Sequence, residues 1–175
     1  MNRIWKYLLI MTGIILLDQF TKGIVQSNLD LRESIPVIPG LFSFTHLRNT
    51  GVAFGMGSGS SELFRVLFFI ILPIFVCFWI AYLCFKIRNG SLTLGLAYTL
   101  ILGGAIGNLI DRISLGYVVD FLLFYWKGYH FPAFNVADSA ITIAAGLLII
   151  DFIRDAKSKA EEAKEVDIKN QDKSK

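Results

Sequence analysis

Residues 66–85, VLFFIILPIFVCFWIAYLCF, run for 20 positions without a charged side chain, and residues 91–110, SLTLGLAYTLILGGAIGNLI, do the same. An α-helix rises 1.5 Å per residue, so about 20 apolar residues cross the hydrocarbon core of a bilayer. Two such runs joined by a short basic connection predict a transmembrane hairpin. Pro73 lies inside the first run, where a span tolerates a kink. Working outward, residues 4–25 make another apolar window, interrupted by Asp18 and Lys22, and residues 131–150 make a fourth whose one charge is Asp138. The prediction is an all-α integral membrane protein. Its four transmembrane helices form a single domain over residues 1–153, with a long loop at 26–65 and a charged tail at 154–175.

Composition agrees. Of 175 residues, 54% are hydrophobic and 18% charged, against about 25% charged in soluble domains. A chain this apolar is neither disordered nor a nucleic-acid-binding module, so no nucleic-acid partner is expected. Cys77 and Cys84 lie seven apart in one apolar run and read as small hydrophobes. The tail carries seven basic and six acidic residues and no aromatic one. It reads as a solvated segment, a frayed helix continuing the last span. Arg3 and Lys6 ahead of an apolar stretch resemble the start of a secretory signal, but no small-x-small cleavage site follows, so a retained first helix is expected.

Basic residues set the orientation. The N-terminus, the 86–90 connection and the tail together hold eleven Lys and Arg; the two long connections hold six. Both termini are therefore expected in the cytoplasm, with loops 26–65 and 111–130 outside. In the first loop, Leu41-Phe-Ser-Phe-Thr-His-Leu47 reads as a strand or hairpin on the membrane surface. Residues 56–61 read as a Gly/Ser-rich mobile turn, and the aromatic-rich segment 121–134 as an interfacial aromatic belt. Gly103, Gly104 and Gly107 read as close helix packing within the chain.

The polar residues then fall together. Asp18 and Lys22 are i,i+4 at the outer end of the first helix and can pair. Asn108, Asp111 and Arg112 end the third helix. Arg48 and Asn49 precede a turn at Thr50 and Gly51. Asp120 stands in Tyr117-Val-Val-Asp-Phe-Leu122, and Asn135 and Asp138 stand at the outer end of the fourth helix. Singly, each suits a helix cap or an interfacial anchor. Together they place four carboxylates from three helix ends at one depth, and intramembrane acids mark functional sites. Asp120 and Asp138 have no basic residue within six positions. Facing each other, they would share one proton. The ionised partner would take a proton from water, and the protonated one would polarise a carbonyl. The dipole at the start of the fourth helix favours Asp138 as the anion, leaving Asp120 protonated. Intramembrane acids also mark proton-coupled transporters, and helix-end charges also serve as plain anchors. With two histidines and no H-E-x-x-H, a zinc site lacks its usual ligands, and no metal is expected.

At these residues the chain resembles the bacterial lipoprotein signal peptidases (signal peptidase II), a family of aspartic proteases. The resemblance rests on five segments in the family's order: Asp18-Gln19-x-Thr21-Lys22; Arg48-Asn49-Thr50-Gly51-Val52-Ala53-Phe54-Gly55; Gly103-Gly104-Ala105-Ile106-Gly107-Asn108-x-Ile110-Asp111-Arg112; Val118-Val119-Asp120-Phe121; and Phe131-Pro132-Ala133-Phe134-Asn135-Val136-Ala137-Asp138-Ser139. It implies four spans with a small extracytoplasmic β cradle and a loop helix. The implied activity is removal of signal peptides from diacylglyceryl-modified prolipoproteins, by cleavage before the lipidated cysteine. Asp120 and Asp138 are the implied catalytic pair, and Asn49, Gly51, Asn108, Asp111, Arg112, Asn135, Asp18 and Lys22 the implied supporting residues. The resemblance also implies a location in the bacterial inner membrane, a monomer among membrane lipids, no cofactor, and sensitivity to globomycin-type inhibitors. The first loop and the 121–134 segment are expected to close over substrate, hinged at residues 55–59.

Overall fold

A computed structural model describes residues 3–51, 62–87 and 90–173, with side chains through residue 162 apart from that of Glu62. In chain order the elements are α1 (Arg3–Asn28), β1 (Ser34–Ile38), β2 (Phe42–Asn49), α2 (Glu62–Val66), a π-helical turn (Leu67–Ile71), α3 (Leu72–Lys86), α4 (Leu92–Ser114), β3 (Val118–Trp126), β4 (Tyr129–His130) and α5 (Val136–Lys173). Four helical stretches are long and apolar enough to cross a bilayer: Arg3–Asn28, Leu63–Lys86, Leu92–Ser114 and Val136–Glu162. The short α2 runs without a break into the second of these.

The π turn has a cause in sequence. Pro73 has no N–H to offer the carbonyl of Phe69, and its ring crowds that carbonyl. The turn before it widens, and the Leu72 N–H bonds the Leu67 carbonyl instead. Such bulges gather at functional sites, and this one faces the first loop.

Helix α4 is the hub. It packs along α5 and α1, and α3 leans on its remaining flank. Glycines permit the approach: a Cβ on Gly104 would overlap the Ala137 carbonyl, and one on Gly107 would lie 2.7 Å from the Asp18 carboxylate. The expectation of close intramolecular packing at these glycines describes what they do.

An antiparallel sheet of order β1-β2-β3-β4 sits across one end of the bundle. The strand expected at 41–47 is β2, and it pairs with β1 on one side and β3 on the other. Val25 and Leu29 of α1 pack with Val119 and Phe121 of β3, fixing the sheet to the helices. Two expectations need correction. Segment 121–134 is more than an aromatic belt, because residues 118–126 form a strand inside the sheet. Apolar residues on both of its faces hide the alternation that would mark it. Trp126, Tyr129 and Phe131 nevertheless stay exposed, as a belt requires. The fourth helix starts at Val136 and not near 131, because Phe134 exchanges backbone hydrogen bonds with Leu122 and holds the preceding residues extended. The tail does continue the last span, with α5 running to Lys173. The expected turn at 56–61, the hinge at 55–59 and residues Val52 to Gly55 of the second motif lie outside the described residues.

Candidate active site

The site lies where the C-terminal ends of α1 and α4 and the N-terminal end of α5 meet β2 and β3. Its base is an ion cluster: the Lys22 ammonium touches Asp18 Oδ2 at 2.7 Å and Asp111 Oδ2 at 3.0 Å. These side chains are 2%, 0% and 3% exposed. A buried ion is stable only when its remaining hydrogen-bonding capacity is met, and here it is. Asp18 Oδ1 accepts from the Ala137 N–H at 2.9 Å, and Asp111 Oδ2 from the Val119 N–H at 3.0 Å. Gln19 donates to Asp111 Oδ1 at 2.9 Å, and Lys22 donates to Asn108 Oδ1 at 3.0 Å. The cluster thereby ties α1, α4, β3 and the first turn of α5 into one piece.

Asn135 and Asp138 form a capping box. The Asp138 N–H donates to Asn135 Oδ1 at 2.9 Å, and the Asn135 N–H reaches back to Asp138 Oδ2 at 3.3 Å. Each satisfies a donor that the start of α5 would otherwise leave free. The cap reading of these two residues is therefore correct, and it does not exhaust them. The Asn135 side-chain amide also donates to Asp120 Oδ1 at 2.8 Å. One residue thus holds both carboxylates. Asn108 donates to Asp138 Oδ1 at 2.7 Å, and Asn49 donates to Asp120 Oδ2 at 2.9 Å.

The sheet register explains Asn49. It sits opposite Val118, while Leu47 sits opposite Asp120, so Asn49 and Asp120 are diagonal neighbours on one face. Its Oδ1 accepts from the Gly51 N–H at 2.9 Å. Gly51 has φ +87°, and an added Cβ there would lie 2.8 Å from the Phe69 ring. Only glycine suits both the backbone and the space.

Asp120 is buried and Asp138 half-buried. Burial pushes the Asp120 carboxyl up to about 6, opposed most by the Asn49 hydrogen bond and reinforced by the negative charge of Asp138.

Arg112 stands apart from the hydrogen-bonded set. Its guanidinium lies 5.9 Å from the Phe69 ring centroid, and its Nε is buried without a hydrogen-bond partner among the described residues. With Thr50, Arg65 and Phe69 it lines a cavity of about 190 Å³ beside the site. Its charge acts on Asp138, Asp120 and Asp111. Every supporting residue expected from sequence therefore lies in or against this one cluster. Among the additional participants are the side chain of Gln19, the Val119 N–H and Phe69. Gln19 was within reach, since it adjoins Asp18 in the first motif. The other two depend on the β3 register and on the π turn, which no local pattern announces. Among the described residues no group of His, Cys, Asp and Glu could hold a metal ion.

The fold and the site define a multi-pass membrane enzyme whose polar groups converge at one end of its helices. Residues 10–154 match the signal peptidase (SPase) II family, so the chain belongs to that family and is a protease. It is 48% identical over 151 residues to the lipoprotein signal peptidase of Geobacter sulfurreducens, covering 86% of this chain and 93% of that one. It is 46% identical over 159 residues to the lipoprotein signal peptidase of Shewanella loihica, covering 90% and 91%. A solved structure described as a bacterial membrane enzyme superposes with a TM-score of 0.77 at 37% identity, covering 89% of this chain and 92% of that one.

Proposed function

We propose that this protease removes signal peptides from diacylglyceryl-modified prolipoproteins, cutting before the lipidated cysteine, with Asp120 and Asp138 as the catalytic pair. The observation that carries the reading is the double engagement of Asn135, whose side-chain amide binds Asp120 and whose backbone N–H binds Asp138. That arrangement aims two carboxyl groups at one space and leaves the half-buried Asp138 nearer to entering water.

In the resting state one proton is shared by the pair. In the reactive form it resides on Asp120, whose carboxyl is raised to about 6 by burial, with Asp138 as the anion. A water between them gives a proton to Asp138 as its oxygen bonds to the scissile carbonyl carbon. The Asp120 proton passes to the carbonyl oxygen, forming a neutral tetrahedral diol. The C–N bond then breaks, the proton held by Asp138 goes to the leaving cysteine nitrogen, and one diol proton returns to Asp120. Asn49, Asn108 and Asn135 hold the two acids in place, and the cluster of Asp18, Lys22 and Asp111 holds the elements that carry them.

The activity resides in the four-span unit 1–153, and the tail 154–175 is a solvated appendage. The distribution of basic residues supports cytoplasmic termini and a site on the outer side of the bacterial inner membrane. Substrate then arrives in the membrane plane with its lipid, and globomycin-type inhibitors compete there. The test is cleavage of a diacylglyceryl-modified prolipoprotein peptide by the purified protein beside Asp120→Asn and Asp138→Asn. Wild type should cut before the cysteine, and both folded variants should be inactive. Turnover by either variant would remove that aspartate from the pair.

A further inference from the structure

Two arginines have no part in the proposed chemistry, and among the described residues neither forms an ion pair. Arg65 lies in the last turn of α2 and Arg112 in the last turn of α4. Both are half-buried, and both line the cavity of about 190 Å³ beside the site. Like charges lining one small cavity repel each other, so the arrangement gains when an anion enters.

The cavity defines the anion. It is smaller than the roughly 300–1,000 Å³ of a pocket for a whole small molecule, so it suits one end of a longer ligand. Val66, Phe69 and Ile70 give it an apolar wall. The Arg112 guanidinium lies over the Phe69 ring, and its buried Nε has no hydrogen-bond partner among the described residues. A buried donor left unmet calls for a partner. A carboxylate supplies one side-on, accepting from Nε and a terminal N–H of the same planar fork. The cavity also borders the two acids. Thr50 in its wall follows Asn49, which donates to Asp120, and the Arg112 charge acts first on Asp138 and then on Asp120.

We propose that Arg65 and Arg112 receive the new C-terminal carboxylate of the released signal peptide. This rests on the function proposed above. Hydrolysis adds water across the peptide bond and leaves a carboxylic acid beside Asp120 and Asp138. An α-carboxyl ionises near 3.5 and an α-amine near 7.8, so the acid's proton passes to the freed cysteine amine. The carboxylate is then one more negative charge next to Asp138, and repulsion drives it away from the pair. The two guanidiniums offer it the adjoining cavity. Arg65 thereby acts on product, after the bond has broken.

The experiment is fluorescence anisotropy of the full chain in detergent with a labelled signal peptide that ends at the residue before the cysteine. The peptide is made as the free acid and as the carboxamide. Wild type should bind the acid about tenfold or more tighter than the amide. Arg65→Gln should cut that ratio about fivefold or more, with amide binding retained as proof that the site is folded, and Arg65→Lys should restore part of it. Equal affinity of wild type for acid and amide would overturn the proposal, and so would an unchanged ratio in Arg65→Gln. Displacement of the acid, but not the amide, by phosphatidylglycerol would give the cavity to a lipid phosphate and overturn it too. Cleavage of the lipidated peptide is followed in parallel. Cleavage without a preference for the acid would sink this inference alone. Preference without cleavage would sink the proposed function and leave the cavity a carboxylate site.

Discussion

Replacing Asp120 by Asn should stabilise this protein at pH 8 while abolishing its activity. A carboxyl that titrates at about 6 in the folded chain and near 3.9 in the unfolded one costs the fold about 3 kcal/mol at pH 8. The sign follows from proton binding. The folded state binds this proton more tightly than the unfolded state, so the stability is present at low pH and is lost as pH rises through about 6. At pH 4 the remaining cost is below about 1 kcal/mol. Asparagine carries none of it. It does replace one acceptor with an amide donor facing Asn49 or Asn135, which costs about 1 kcal/mol at any pH. The variant should therefore be more stable than wild type by about 2 kcal/mol at pH 8 and no more stable at pH 4. For a chain of this size that is about 4–8 °C in Tm. Thermal unfolding in one detergent at both pH values measures it, and carboxylates remote from the pair cancel in the difference. Equal Tm values for variant and wild type at pH 8 would refute the argument that burial costs Asp120 its charge.

Three other substitutions probe the support. Asn49→Ala removes the donor that most favours the Asp120 anion, so the alkaline limb of the pH–rate profile should move up by about one pH unit, with activity reduced but present. Lys22→Met leaves Asp18 and Asp111 buried without their cation and should cost about 3–5 kcal/mol, read as a lowered Tm. Gly107→Ala presses a methyl onto Asp18, which is already fixed by Lys22 and Ala137, and should cost about 1–3 kcal/mol. Retention of wild-type Tm by that variant would show that α1 can withdraw from α4.

Much of this arrangement can be read along the chain, and what can be read is local. The charge-free runs mark the spans because length and hydropathy are properties of a segment. Asp18 and Lys22 announce their pairing by spacing, and Asn135 with Asp138 by the spacing of a capping box. The remainder is made between segments. Nothing near Asp111 names Lys22 or the Val119 N–H as its partners, since both arrive from elements distant in sequence. Strand β3 is obscured for a related reason. Its first four residues are all buried, and a strand buried on both faces has no alternation to show. The contact of Phe69 with Gly51 depends on a π turn and on a loop end, so neither residue suggests it alone.

The buried ions explain why the proposed catalytic pair is where it is. Between helices in a bilayer, apolar burial provides little force, because lipid is as apolar as leucine. Apolar stripes alone would let α1, α4 and α5 slide along one another at small cost. Lys22 removes that freedom, since it has two carboxylates from two helices within 3.0 Å. The Ala137 N–H bond to Asp18 then fixes the first turn of α5 to the same level. Ala137 precedes Asp138, and the Val119 N–H bound by Asp111 precedes Asp120. Each catalytic candidate is thus one residue from a backbone amide held by the ion cluster. The cluster performs none of the proposed chemistry, yet it sets the register from which both aspartates are aimed. Its charges therefore belong to the site as firmly as the two acids do.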